Sequence, residues 1–401
     1  MNIVIVNDSA SITGGAEKVA IFSAIGLANR GVHVTFFSAI SPIDRSLQEA
    51  GVDVICLNQK DILNEPNRLK AVKQGWWNIK AEKEFDKLLQ NYSPRDTIIH
   101  FHSWTKALSS SLFSVTAKYH FSVVITSHEY FTVCPNGGFF NYKKAYICEL
   151  KPMSLHCALC NCDVRNYPQK VWRIIRQIIQ NKAIRKNKLY AIFISQLTRD
   201  VLFPYLRSTL KNSYVLNNPI DLNLKDPVSI KSNDRYLFIA RLSQEKGVEL
   251  FCQAMMDLGL KGCVLGDGYL LQTLKAKYPM VHFTGWVTGE EKENLIRKGK
   301  ALVFPSLWYE GAPLTILEMK SYGIPCIVPD KCAASEQVID GETGFIFRTG
   351  DLSSLKDCIM KYERSDINRI QKNILLSFKK DDYSLDTHVT NLLRIYVNIL
   401  S

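Results

Sequence analysis

The sequence predicts an α/β protein of two Rossmann-like domains, each a parallel sheet covered on both faces by helices. Three observations predict it. Short apolar runs of strand length alternate with stretches of helical spacing along most of the chain. The alternation breaks once, over a polar irregular stretch after Pro219, and then restarts. The chain has 401 residues and is 46% hydrophobic, which is more than one ordinary core takes and too apolar for disorder.

The first domain is expected over residues 1–218. It opens with the apolar run Asn2 to Val6, a loop from Ser9 to Gly15 and a helical pattern from Glu17 to Asn29. Strand, glycine loop and helix make a Rossmann-type start. The loop SITGGAEK lacks the spacing of a dinucleotide fingerprint, so Gly14 and Gly15 by themselves imply a turn. Strands follow at His33 to Ser38, Val52 to Leu57, Thr97 to Ser103 and Phe121 to Ser127, with helical patterns at Leu69 to Leu89 and Lys106 to Lys118. Ligands of such sheets bind beyond the carboxyl ends of the strands, where His100, His102 and His128 fall. A lone histidine is more often structural than catalytic. Leu189 to Ser195 reads as another buried strand, and Tyr214 to Leu216 leads to the end of the domain at Asn217-Asn218.

Residues 131–165 interrupt this pattern with an insertion carrying Cys134, Cys148, Cys157, Cys160, Cys162 and His156. Cys157 and Cys160 have the two-residue gap that lets two thiolates share a tetrahedral metal, with Cys134, Cys148 and Cys162 at hand to complete the set. A structural zinc is therefore one reading, and buried thiols packing the insertion are the other. No run approaches the length of a bilayer span, and the start of the chain has no basic leader, so a cytoplasmic protein with reduced cysteines is expected.

The net charge is +12, and the stretch Arg165 to Lys188 holds eight Lys or Arg and no acidic residue. Val171, Trp172, Ile174, Ile175, Ile178, Ile179 and Ile184 recur through it at helical spacing. A basic amphipathic helix suits an anionic membrane surface; an isoleucine face buried in the core gives the same pattern. Nucleic acid is not expected as a partner, because no recognised nucleic-acid module accompanies the charge.

The second domain is expected over residues 219–382, beginning with a linker from Pro219 to Asp234. Its strands are read at Arg235 to Leu242, Gly262 to Leu265, Val281 to Phe283, Ala301 to Phe304 and Cys326 to Pro329. Residues 383–401 carry a last helical pattern with Val389, Leu392, Leu393 and Tyr396 on one stripe. The candidate site lies in PSLWYEGAPLTILEMKSYGIP, residues 305–325. Pro313 suits a first helical turn, which leaves the N–H groups of Leu314, Thr315 and Ile316 free to face an anion. Glu310 precedes those amides and Glu318 follows in the second turn, so two carboxylates can reach different parts of one ligand. Arg241 and Lys246, in RLSQEKG, have a spacing that lets a fork-shaped and a point cation converge on a diphosphate.

Glu310 and Glu318, with Gly311, Pro313, Gly323 and Pro325, resemble the signature of the retaining GT-B glycosyltransferases of family four, the glycosyl transferases group 1. Met319, Lys320, Ser321 and Tyr322 depart from the small residues that usually follow its second Glu. The resemblance spans nearly the whole chain. It implies two domains facing a central cleft, with the last helix returning to the first domain. It implies that Arg241 and Lys246 neutralise a leaving diphosphate, that Glu310 holds donor-sugar hydroxyls and that Glu318 holds the ribose. Gly14, Gly15, Gly266, Trp286, Val287, Gly311, Ala312, Pro313, Leu314 and Thr315 would line the donor. Thr126 to Tyr130 is similar to the family's His-Asp/Glu site and makes His128 catalytic, while Glu17 and His102 fall on the acceptor side. DGETGF, residues 340–345, recurs near the end of the family's second domain and is taken as structural.

The activity so implied is retaining hexosyl transfer from a nucleoside-diphosphate sugar, UDP- or GDP-linked, to a hydroxyl of a glycan or polyprenyl-diphosphate-linked glycan. Bacterial surface polysaccharide, O-antigen or capsule, would be the product. No cofactor is required for such catalysis, and the expected place is the cytoplasmic face of the inner membrane as a peripheral protein. A GT-B sugar-nucleotide epimerase and a non-catalytic sugar-nucleotide or lipid-glycan binding subunit are the alternatives.

Overall fold

The computed structural model describes residues 1–220 and 225–401. The chain divides into two compact units, Met1–Gly138 with Leu150–Asp221 and Asp381–Ser401, and Phe139–Glu149 with Leu222–Lys380. Part of the insertion, residues 139–149, is thus counted with the second unit, and residues from 381 onward with the first.

The first unit is a seven-stranded parallel sheet. Its strands are β1 Asn2–Val6, β2 His33–Ser38, β3 Asp53–Cys56, β4 Thr97–Phe101, β5 Ser122–Ser127, β6 Lys188–Phe193 and β7 Leu210–Val215, in the order β3-β2-β1-β4-β5-β6-β7. Burial on both faces explains the unbroken apolar runs. Ile3, Val4, Ile5 and Val6 are all inaccessible, Val4 and Val6 packing on one side and Ile3 and Ile5 on the other. The helix Leu385–Leu400 lies on the helix Gly15–Ala28, and Gly26 makes room for it: a Cβ there would come within 2.4 Å of Val389. The strand order reverses between β1 and β4, which sets a crevice at their carboxyl ends.

Two helical readings need correction. The pattern Leu69 to Leu89 is two helices, Arg68–Trp76 and Ile79–Leu89. Asn78 separates them because its buried side chain caps the second helix at Ala81 N and also donates to Ala107 O. The helix read from Lys106 starts only at Ser111, since the N–H groups of Lys106, Ala107 and Leu108 are all spent on the buried carboxylate of Asp8.

The second unit repeats the plan with six parallel strands. They are β8 Arg235–Ile239, β9 Lys261–Leu265, β10 His282–Gly285, β11 Gly299–Val303, β12 Cys326–Pro329 and β13 Gly344–Phe347, in the order β10-β9-β8-β11-β12-β13. The DGETGF segment therefore supplies the start of an edge strand. A two-stranded hairpin, Phe140–Asn141 with Tyr146–Ile147, belongs to this unit as well. Of the expected linker, residues 221–224 lie outside the described residues. Its later part is anchored: Val228 N donates to Tyr322 O, and the side chain of Ile230 is fully buried.

Candidate functional site

In the second unit the loops after β8 and β11 meet at the crevice where the strand order reverses. Gly247 allows the meeting. Its φ is +68°, and a Cβ there would stand 1.9 Å from the carbonyl oxygen of Pro305. Leu307 N donates to Glu245 O, which ties the two loops together. Lys246 Nζ then lies 2.6 Å from Glu310 Oε1, while the other oxygen of Glu310 accepts from Ser306 Oγ and Trp308 Nε1 at 3.2 and 3.3 Å. Arg241 Nη2 is 2.9 Å from Glu245 Oε1, and its side chain is largely exposed. Arg241, Lys246 and Glu310 thus converge in one loop cluster.

The helix Leu314–Ser321 starts directly after Ala312 and Pro313. Pro313 caps it instead of entering its first turn, and Ile316 N already donates to Pro313 O at 3.2 Å. Leu314 and Thr315 are left to present N–H groups at the helix start, a place that favours an anion. Glu318, in the second turn, is held by Lys292 Nζ at 2.6 and 2.8 Å from its two oxygens. Gly266 follows β9 at φ +147°, with its N–H on Gly285 O, and a Cβ there would meet the carbonyl oxygen of Ala240 at 2.0 Å. Trp286 follows β10 with 74% of its surface exposed, and Val287 packs inward.

In the first unit Gly14 caps the first helix in extended conformation and Gly15 begins it. Glu17 is buried and ion-paired with Lys106 at 3.0 Å. His102 Nδ1 and His128 Nε2 are 2.9 Å apart. Glu17, Lys106, His102, His128, Glu129 and Phe131 line one recess. Burial pushes His128 down to about 3 and His102 well below the usual imidazole range, so both rings are neutral at pH 7. His100 is not in the recess. It is 1% exposed, bonded to Tyr396 OH and Thr126 Oγ1, and serves the core.

Sequence reasoning missed Glu245, Lys292 and Lys106. Glu245 had a signal, four residues after Arg241 in a short turn; Lys292 and Lys106 reach their carboxylates across 26 and 89 residues and had none. The insertion is also different in kind. Lys170 is fully buried, its ammonium 3.2 Å from Cys162 Sγ and 3.6 Å from Cys157 Sγ, and Cys148 falls in the other unit. Among the described residues no three His, Cys, Asp or Glu side chains are grouped so as to hold a metal ion.

Comparison with known proteins bears on the whole chain. HepE of Anabaena, solved in complex with UDP, matches 99% of this chain and all of its own at a TM-score of 0.66 and 16% identity, which establishes the GT-B fold. An uncharacterised 42.6 kDa protein in the cps region of Klebsiella pneumoniae is 26% identical over 266 residues, 63% of this chain and 64% of that protein. UDP-Gal:alpha-D-GlcNAc-diphosphoundecaprenol alpha-1,3-galactosyltransferase of Escherichia coli is 25% identical over 144 residues, 34% of this chain and 36% of that enzyme. These matches span about two thirds and about one third of the two relatives. Residues 221–374 match the family described as Glycosyl transferases group 1.

Proposed function

We propose that this protein transfers a hexose from a UDP-sugar to a hydroxyl of a polyprenyl-diphosphate-linked glycan, with retention, during synthesis of a bacterial surface polysaccharide. One observation carries the reading: Arg241, Lys246 and Glu310 converge in loops at the sheet's switch point, after which the helix Leu314–Ser321 begins. UDP is the preferred donor base because HepE was solved with it and the Escherichia coli relative is named for UDP-Gal. The lipid-linked acceptor is suggested by that relative's diphosphoundecaprenol. Such an acceptor places the work at the cytoplasmic face of the membrane, and no helix among the described residues is long and apolar enough to cross one.

In this reading the diphosphate takes Lys246 and Arg241 from their carboxylate partners and meets the N–H groups of Leu314 and Thr315. As the bond between the sugar carbon and the diphosphate oxygen breaks, these donors stabilise the charge that develops on the leaving group. Glu310, released from Lys246, accepts from the sugar hydroxyls, and Glu318 accepts from the ribose. The acceptor oxygen forms the new bond on the face the diphosphate leaves, and its proton passes to a diphosphate oxygen. His128 is neutral and has no surplus proton to give, so it orients the acceptor side instead. Positioning and charge stabilisation then carry the rate.

The test is a thermal-shift screen of nucleotide sugars, followed by product analysis with and without a lipid-linked acceptor. Stabilisation by a UDP-sugar and acceptor-dependent release of UDP are expected. An altered free sugar formed without acceptor would replace transfer by epimerisation.

A further inference from the structure

The helix Tyr167–Ile184 is built inside out. Its buried positions include Lys170, Arg176, Gln177 and Gln180, at 0%, 6%, 1% and 2% exposure, whereas Val171, Ile175 and Ile178 stand 40%, 36% and 44% exposed. The polar residues fix its rotation. Gln177 and Gln180 donate to the carbonyls of Thr132 and Phe131, Arg176 to that of Thr105, and Gln180 accepts from Trp104. These bonds hold the inward face, so the apolar stripe has no interior to turn toward.

The stripe has a direction as well. At a helical period Val171, Ile175 and Ile178 share one line, and Lys182 and Arg185, both exposed, continue it beyond the apolar end. Two short helices flank it. Leu159, on the helix Leu155–Leu159, is 67% exposed, and that helix is tied in by Tyr167 OH to Ala158 O. Leu69, on the helix Arg68–Trp76, is 76% exposed, and Trp76 Nε1 donates to Trp172 O. Exposed apolar side chains on three helices that pack on one another, with cations continuing the line of the central one, are the complement of a lipid layer with anionic headgroups. A second copy of the chain is a poorer occupant. It would bring the same cations, and no acidic residue lies between Arg165 and Lys188 to meet them.

We propose that this face docks on an anionic membrane surface, with Val171, Ile175 and Ile178 in the boundary between headgroups and acyl chains and Lys182 and Arg185 against lipid phosphates. The inference gives the proposed lipid-linked acceptor a place to be met; it rests on that reading for its use and on the inverted helix for its evidence.

The experiment is co-sedimentation of the full chain with phosphatidylcholine vesicles made with and without phosphatidylglycerol. The wild type should bind the anionic vesicles and release as salt rises. The triple variant Val171→Ser, Ile175→Ser, Ile178→Ser should bind about tenfold more weakly or worse while still folded, with an unchanged far-ultraviolet circular dichroism spectrum at the assay temperature. Lys182→Gln with Arg185→Gln should remove the preference for phosphatidylglycerol. Absence of wild-type binding, wild-type binding by the triple variant, or a dimer in gel filtration that the triple variant splits would each overturn the proposal. Stabilisation by UDP-sugars, read without vesicles, reports on the transferase reading separately, so either idea can fail alone.

Discussion

Lys246 Nζ lies 2.6 Å from Glu310 Oε1, across 64 residues of sequence. Glu245 does for Arg241 what Glu310 does for Lys246. Each cation that the proposed function assigns to a diphosphate is therefore paired with a nearby carboxylate. Under that proposal donor binding is an exchange of partners, and at the largely buried Lys246–Glu310 pair the exchange spares the molecule an unpaired charge.

Removing either cation tests that exchange. Arg241→Ala and Lys246→Ala should each lower the transfer rate roughly 10²–10³-fold, the usual effect of deleting one donor to a developing negative charge. Lys246→Ala has a second consequence, since Glu310 keeps only its neutral donors Ser306 and Trp308. Steady-state kinetics with a UDP-sugar decides it, and undiminished turnover in Arg241→Ala would take the guanidinium out of the reaction.

Gly247→Ala should damage both stability and donor binding. The left-handed backbone costs an alanine roughly 1–3 kcal/mol, and the carbonyl of Pro305, 1.9 Å from the new Cβ, must also move. That carbonyl precedes Ser306 and Glu310, so the displacement is delivered to the loop that the proposed function assigns to the donor. A lower midpoint of urea unfolding together with a raised KM for the donor is expected. Loss of stability with an unchanged KM would mean that the loops move as one.

Much of this was legible in the sequence, and the reason is local. Strands buried on both faces announce themselves as unbroken apolar runs, as Ile3 to Val6 and Ala301 to Val303 do. Arg241 and Lys246 share one short turn, and Glu310 to Thr315 another. What could not be read depends on distant partners. Asp8 delays a helix by taking three N–H groups about a hundred residues away, and Lys292 finds Glu318 from a different helix. The basic helix shows the same limit more sharply. Its period was plain, but only the carbonyls of Phe131 and Thr132 decide that the glutamines turn in and that Ile175 and Ile178 turn out.

His100 should make stability fall in mild acid. Burial lowers it from 6.5 to about 3, so below the unfolded value the unfolded chain gains a proton that the native ring refuses. The contribution is complete above about pH 6.5 and is lost as pH falls toward 3, at about 1.4 kcal/mol per pH unit. His388, lowered by burial to about 4, adds to the same slope. His100→Asn should be less stable at neutral pH, for its bonds to Tyr396 and Thr126, yet lose less on acidification. Urea midpoints across that range compare the slopes, and parallel curves would show that the ring is protonated in both states.

Cys162 should resist alkylation in the native protein. Burial pushes its thiol up to about 12, against the pull of Lys170, whose ammonium lies 3.2 Å away. Only the thiolate reacts, so at about pH 8 the reactive fraction is on the order of 10⁻⁴, some three orders below that of a free cysteine. Its 4% exposure slows access further. Iodoacetamide labelling read by peptide mass spectrometry should modify the partly exposed Cys56, Cys148 and Cys160 before Cys162, which reacts only after urea is added. Early labelling of Cys162 would mean that the Lys170 charge outweighs burial and that the sulfur is held as a thiolate. Lys170→Met separates the two cases: it should slow a thiolate and leave an already protonated thiol as unreactive as before.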